Sequence, residues 1–186
     1  AADSAALWEG LRRGYLDLVS SDHAPYRFDD TGKLSAGSNP DFPEIANGLP
    51  GLQTRLPLLF DAMVSRGLGS AQAFVRATAQ APARLYGLRG KGDIAVGMDG
   101  DLVLWAPDRQ VTYGANDLDD NVGYNPWAGT CVTGWPETVI LRGQVVTNAG
   151  AFLGTPGTGR FIARDTSGFG PTGTLPPELS FLKDGP

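Results

Sequence analysis

The sequence contains one cysteine, Cys131, and one histidine, His23, among its 186 residues. A single cysteine cannot form a disulfide within the chain, and a single histidine cannot supply a His-x-His metal site. Cys131 has no basic residue beside it, so we interpret it as a small packed side chain. No apolar run approaches the roughly 18 residues that a membrane-spanning helix needs. These shortages argue against a disulfide-rich or membrane-spanning protein, and we expect a soluble cytoplasmic one.

The chain also lacks a basic patch. Its net charge of −5 comes from 15 basic and 20 acidic residues that form no blocks. A phosphate backbone needs a basic stripe, so we expect no nucleic-acid partner and no membrane partner. The chain begins at Ala1 with neither an initiator methionine nor a signal sequence, and we expect it to be part of a longer protein.

A short apolar run, Leu16–Val19, ends in a carboxylate and an imidazole, Asp22 and His23. Such a run, bounded by polar residues and stopped by Pro25, is typical of a buried parallel strand. Where strands end in a βα-barrel, polar side chains lie on the active-site face. Asp22 is therefore the first catalytic candidate, although an aspartate at this place can also simply cap the next turn.

Two motifs carry a resemblance to a known family: SDHAPY at residues 21–26 and NGLPGLQTRLPLL at residues 47–59. They resemble the cyclic amidohydrolases, and among these the dihydropyrimidinase (D-hydantoinase) family. The resemblance continues through residues 92–105, 121–126 and 159–161. It implies an α/β fold: the C-terminal part of a (β/α)8 TIM barrel, with its last strand and helices, followed by part of a small β-sandwich.

The resemblance divides the chain into three segments. Residues 1–89 would belong to the hydrolase barrel, residues 90–164 to the sandwich, and residues 165–186 to a tail rich in glycine and proline. In the family such a tail often crosses a neighbouring subunit, and we expect a homotetramer in the intact protein. The composition of the tail is equally compatible with a free end.

The family also suggests roles for three residues. By resemblance, Asp22 ligates one of two divalent metal ions, expected to be Zn²⁺, and accepts the proton of the attacking water. The backbone of Asn47 would bind the ring amide of the substrate, although Asn47-Gly48 can also be a plain turn. Successive strand residues point to opposite faces, which argues against a triad of Asp22 and His23 with Ser20 or Ser21. We expect His23 to be either a residue that supports a metal ligand from behind or a structural histidine, and in both cases to orient the loop.

The implied activity is hydrolysis of dihydropyrimidines or 5-substituted hydantoins to N-carbamoyl amino acids. Allantoinase and dihydroorotase share the Asp22-type ligand and stay open as alternatives. So does a non-catalytic assembly protein of the collapsin-response type, although the presence of Asp22 favours an enzyme. On family grounds most metal ligands lie outside this chain, so we expect the chain alone to be inactive.

Hydrophobic periodicity predicts three helices, the last broken near Pro82, and a β-rich region after residue 90. The helices are predicted at 5–15, 50–65 and 71–85, and the strands at 94–96, 102–105, 138–141, 144–146 and 151–153. The long, turn-rich loop between Tyr26 and Leu49 is either a cover for the substrate or an ordinary insertion.

Overall fold

The computed structural model describes residues 2–166. The predicted tail, residues 165–186, lies outside the described residues except for its first two positions. The elements in chain order are α1 (Ala2–Arg13), a 3₁₀ turn (Phe42–Glu44), α2 (Arg55–Phe60), α3 (Ala71–Val75), α4 (Ala81–Leu85), β1 (Leu102–Thr112), β2 (Cys131–Leu141), β3 (Gln144–Asn148) and β4 (Ala151–Phe152). No helix in this part of the chain is long and apolar enough to cross a membrane.

The helices follow the predicted periodicity closely. Helix α2 continues through a π-helical turn, Asp61–Ser65, and α3 continues through another, Arg76–Gln80, into α4. The predicted break near Pro82 is this second π turn, which ends just before the proline. Proline lacks a backbone N–H and clashes with the preceding turn of an α-helix, so a locally wider turn accommodates it.

The strands form one sheet in the order β1-β2-β3-β4. β2 pairs with β3 and β3 pairs with β4, both antiparallel, and a two-residue turn connects the strands of each pair. In the first turn Arg142 and Gly143 have φ of 48° and 78°, the left-handed values that a type I′ hairpin turn requires. The three predicted strands of this region, 138–141, 144–146 and 151–153, are confirmed, and the strand predicted at 102–105 extends to Thr112.

Two predicted strands are wrong. Leu16–Val19, expected to be the last barrel strand, has no regular secondary structure, and neither has Ile94–Val96. A strand needs a neighbour, and no described strand pairs with either segment. The Val19 N–H instead donates to the Ala77 carbonyl at 3.4 Å, and the side chains of Ile94 and Val96 are exposed.

The chain forms two compact units, each built from separate stretches. The described residues of one are 2–19, 72–103 and 138–166, and those of the other are 20–71 and 104–137. Phe74, Ala77, Ala81 and Ala83 are buried in the first unit. In the second, Phe60 stacks on Trp105 with ring centres 4.2 Å apart, and Met63 and Val132 are buried as well. The division into barrel, sandwich and tail stays a prediction.

Candidate functional site

Asp22 lies in a segment without regular secondary structure and has a left-handed backbone, with φ of 45°. This conformation is uncommon for residues other than glycine, but aspartate and asparagine adopt it more readily than most. Its side chain is exposed, and no described residue forms a hydrogen bond or an ion pair with the carboxylate. Asp22 therefore does not cap a turn within the described residues, and its carboxylate is open to a ligand or to water.

His23 links the Asp22 segment to the residues just before helix α2. Its Nδ1 accepts hydrogen bonds from the backbone N–H groups of Gly51, at 3.1 Å, and Leu52, at 3.3 Å. A ring nitrogen that accepts a hydrogen bond carries no proton, so the neutral ring has its proton on Nε2. The side chain thus ties the residues after Asp22 to the turn that precedes helix α2. Its orienting role in the site stays a prediction.

Asn47 lies in a segment that packs directly against the residues after Asp22. The Ala24 N–H donates to the Leu49 carbonyl at 3.1 Å. A Cβ atom on Gly48, whose φ is 118°, would come within 2.3 Å of the Ala24 Cβ, so the two backbones touch where only glycine fits. Asn47 itself is exposed, and none of the described residues bonds to its backbone N–H or C=O. The turn therefore presents a peptide with free polar groups.

Lys33 was missed by the sequence reasoning, although it contacts this turn. Only 7% of its surface is exposed, and its Nζ donates to the carbonyls of Ala46, at 2.7 Å, and Gly48, at 2.6 Å. The one available signal was that Lys33 is the single lysine of the loop between Tyr26 and Leu49. A charged residue in a surface loop is ordinarily solvated, so this signal is weak.

A tight turn over residues 27–33 directs Lys33 inward. Asp29 accepts hydrogen bonds from the hydroxyl of Thr31, at 2.6 Å, and from Nε of Arg27, at 2.7 Å. The Thr31 hydroxyl and then the Arg27 guanidinium hold the pKa of the Asp29 carboxyl below its usual value. The Lys33 N–H donates to the Arg27 carbonyl at 2.8 Å and closes the turn.

The described residues do not by themselves fit a metal centre. No group of three or more histidine, cysteine, aspartate or glutamate side chains converges anywhere in residues 2–166. Asp22 offers a single carboxylate, whereas a tightly held divalent ion takes several protein ligands. Asp22 together with the other described residues therefore does not make up a metal site, and its role as a ligand stays a prediction.

Comparison with known proteins identifies the family of this chain. The model of the amidohydrolase family matches residues 1–146, and the chain belongs to this family. The family generally uses a binuclear metal centre.

Individual relatives are hydantoinases. The chain is 37% identical over 163 residues to a D-hydantoinase of Rhizobium radiobacter, covering 87% of this chain and 35% of the relative. It is 38% identical over 159 residues to a D-phenylhydantoinase of Escherichia coli O81 (strain ED1a), covering 85% and 34%. Among solved structures, the dihydropyrimidinase from Brevibacillus agri NCHU1002 superposes with a TM-score of 0.80 at 39% identity, covering 87% of this chain and 35% of that one. The chain thus spans about a third of the length of the proteins it matches.

Proposed function

We propose that the protein containing this chain is a cyclic amidohydrolase that opens dihydropyrimidine or 5-substituted hydantoin rings to N-carbamoyl amino acids. The observation that carries the proposal is the match along 163 residues to a D-hydantoinase, at 37% identity. The residues that the amidohydrolase family model matches, 1–146, include the Asp22 segment and the Asn47 turn, which pack together in one unit. A planar ring amide offers adjacent N–H and C=O groups, and the free peptide groups of Asn47 complement them.

In this proposal Asp22 is the general base. Water adds through its oxygen to the ring carbonyl carbon, Asp22 accepts the proton, and the carbon–nitrogen bond then breaks. The same proton passes to the leaving nitrogen, so that the carboxylate is regenerated. An exposed carboxylate without a protein partner suits this work because its lone pairs are not committed elsewhere.

The proposal extends to the rest of the molecule. Asp22 would ligate one of two divalent metal ions, expected to be Zn²⁺, and the other ligands would come from outside the described residues. Residues 1–89 would complete a barrel and residues 90–164 a sandwich, in a cytoplasmic homotetramer. His23 would act indirectly, by keeping the turn at Gly51 in register with the Asp22 segment.

The test is Asp22→Asn in the complete gene product that contains these residues. Asparagine tolerates the left-handed backbone, so the fold should persist. Loss of a positioned base costs about 10²–10⁴-fold, and we expect kcat on dihydrouracil or hydantoin to fall by at least roughly a thousandfold. His23→Ala should cost less, on the order of 10–100-fold, as changes in orienting partners do. Steady-state kinetics with metal content measured alongside reads both effects.

Asp30→Asn is the matched control, because it removes the same charge from another exposed carboxylate of the same unit. It should leave kcat unchanged. If Asp22→Asn retained more activity than His23→Ala, the assignment of the base would be wrong. If the unaltered gene product opened neither ring, the proposed function itself would fail.

A further inference from the structure

We propose that Lys33 is a positioning residue that holds the Asn47 peptide ready for a cyclic amide, an inference that rests on the proposed function. Lys33 is unusually buried for a lysine. Lysine is almost never buried without a partner, yet only 7% of the Lys33 surface is exposed. The ammonium pairs with no carboxylate in the described part of the chain, and its hydrogen-bond partners are the carbonyls of Ala46 and Gly48.

These two carbonyls lie on either side of Asn47. A peptide unit is planar and trans, so the Ala46 C=O and the Asn47 N–H point in opposite directions within one plane. By fixing the Ala46 oxygen at 2.7 Å, Lys33 fixes the direction of the Asn47 N–H, which points away from the ammonium. The second bond, to the Gly48 oxygen at 2.6 Å, fixes the peptide plane that follows Gly48. The Asn47 residue is thereby held from both sides.

The charge of Lys33 also acts on the donor strength of this peptide. Hydrogen bonds in a chain polarise one another, so a cation on the Ala46 carbonyl makes the Asn47 N–H a better donor. Because no described residue accepts from that N–H, the polarised donor is available to a ring carbonyl oxygen. The Tyr26 ring, with its centre 5.9 Å from Nζ, provides a further favourable surface for the cation.

The rest of the turn is fixed independently of Lys33. Gly48 packs on Ala24, and the Leu49 carbonyl accepts from the Ala24 N–H at 3.1 Å. Removing the ammonium should therefore loosen the Asn47 peptide without releasing the whole turn. This predicts an effect on substrate binding and on the mobility of the Asn47 peptide that is larger than any effect on the chemistry at Asp22.

The experiment compares Lys33→Met with Lys91→Met in the complete gene product. Methionine has a similar length without the charge. Lys91 is also largely buried and charge-paired, with its Nζ 2.7 Å from Asp99, but it belongs to the other unit. In crystal structures, the B-factors of residues 46–48 relative to the rest of their unit should rise on the order of twofold in Lys33→Met and stay unchanged in Lys91→Met. KM for dihydrouracil should rise about 10–100-fold in Lys33→Met, with kcat changing less, and should stay unchanged in Lys91→Met.

Unchanged B-factors and an unchanged direction of the Asn47 peptide in Lys33→Met would overturn the inference, and so would an equal rise of KM in both variants. If the unaltered protein opens no cyclic amide, the proposed function fails, and the crystal structure of Lys33→Met still decides whether Lys33 holds the Asn47 peptide. If Lys33→Met does not fold, Lys33→Gln, which retains a donor with shorter reach, is judged by the same two quantities. B-factors and KM equal to those of the unaltered protein in Lys33→Gln would then overturn the inference.

Discussion

At the scale of single residues, Gly134 is a position that leaves no room for a side chain. Its φ is 96°, and a Cβ atom there would lie 2.1 Å from the Phe60 ring, which is stacked on Trp105. Gly134→Ala therefore combines a left-handed backbone strain of about 1–2 kcal/mol with overpacking of about 1–3 kcal/mol. We expect a loss of roughly 2–5 kcal/mol in the free energy of unfolding, measured by urea denaturation.

Gly129 provides the matched control. Its φ is 83°, but a Cβ atom there would meet nothing within 4 Å. Gly129→Ala should cost only the backbone term, about 1–2 kcal/mol. Equal losses in the two variants would mean that the Phe60 ring moves aside without cost.

The residues of the candidate site differ in how far sequence could predict them. Asp22, His23 and Asn47 lie in short motifs, and a motif can be recognised without knowledge of what surrounds it. Their predicted roles still depend on groups beyond the described residues. Lys33 could not be found this way, because its partners are main-chain carbonyls 13 and 15 residues further along the chain. Carbonyls are present at every residue, so no sequence pattern marks the ones that a lysine contacts.

At the scale of elements, the success of a prediction from sequence depends on whether the element's hydrogen bonds are formed locally. The helices at 55–65 and 71–85 were predictable because helical bonds are local and the apolar period is visible in sequence. The β2–β3 hairpin was predictable because its two-residue turn at Arg142-Gly143 has a local signature. Leu16–Val19 has the composition of a strand, but a strand requires a neighbour, which composition cannot provide. The same reason explains the failure at Ile94–Val96.

One prediction at this scale concerns the ion cluster that ties the loop before β1 to the β2–β3 turn. Lys91 contacts Asp99 and Asp101, and Asp101 also accepts from the Arg142 N–H at 2.8 Å. The hydrogen bond from Lys91 to Asp101 and, to a smaller extent, the one to Asp99 raise the pKa of Lys91 above 10.5. Burial by itself raises the pKa of Asp101, but the hydrogen bonds from Lys91 and from the Arg142 N–H outweigh it and hold that pKa below 3.8.

The sign of the pH dependence follows from these directions. The contribution of Asp101 is complete above about pH 3.8, its unfolded value, and is lost as the pH falls through its lower folded pKa. The contribution of Lys91 is complete below about pH 10.5 and is lost as the pH rises further. We expect Lys91→Met to lower the free energy of unfolding by about 1–2 kcal/mol at pH 7 and by clearly less near pH 3. Urea denaturation at several pH values measures the difference.

The exposed pair of Arg89 and Asp165 provides the comparison for this prediction. The Arg89 side chain is 85% exposed, so Arg89→Gln should change stability little at any pH. A loss in Lys91→Met that was the same at pH 3 as at pH 7 would show that packing of the lysine stem, not its charge, stabilises this region.

At the scale of the whole molecule, the chain covers about 35% of the length of its hydantoinase relatives. Each of its two units has a buried core of its own, and each also exposes large apolar side chains. The resemblance predicted that some large apolar side chains would be exposed, because the matching segment of the family's fold is covered in places by other parts of that fold. It did not predict which side chains these are, since the exposure of each one depends on how its own loop packs.

The last prediction concerns what these surfaces do in solution. Ile94, Val96, Phe152 and Phe161 in one unit, and Phe42 in the other, are each more than 70% exposed. Association that covers these side chains would remove apolar area from water, which is favourable by about 25 cal/mol per Å². We therefore expect the purified 186-residue chain to associate in a concentration-dependent way, measured by light scattering after size exclusion. Replacing Ile94 and Val96 together with threonine, which keeps the branched shape but adds a hydroxyl, should reduce the association. A monodisperse monomer with a single cooperative unfolding transition would contradict the expectation. It would mean that these side chains are hydrated one by one and do not mediate association.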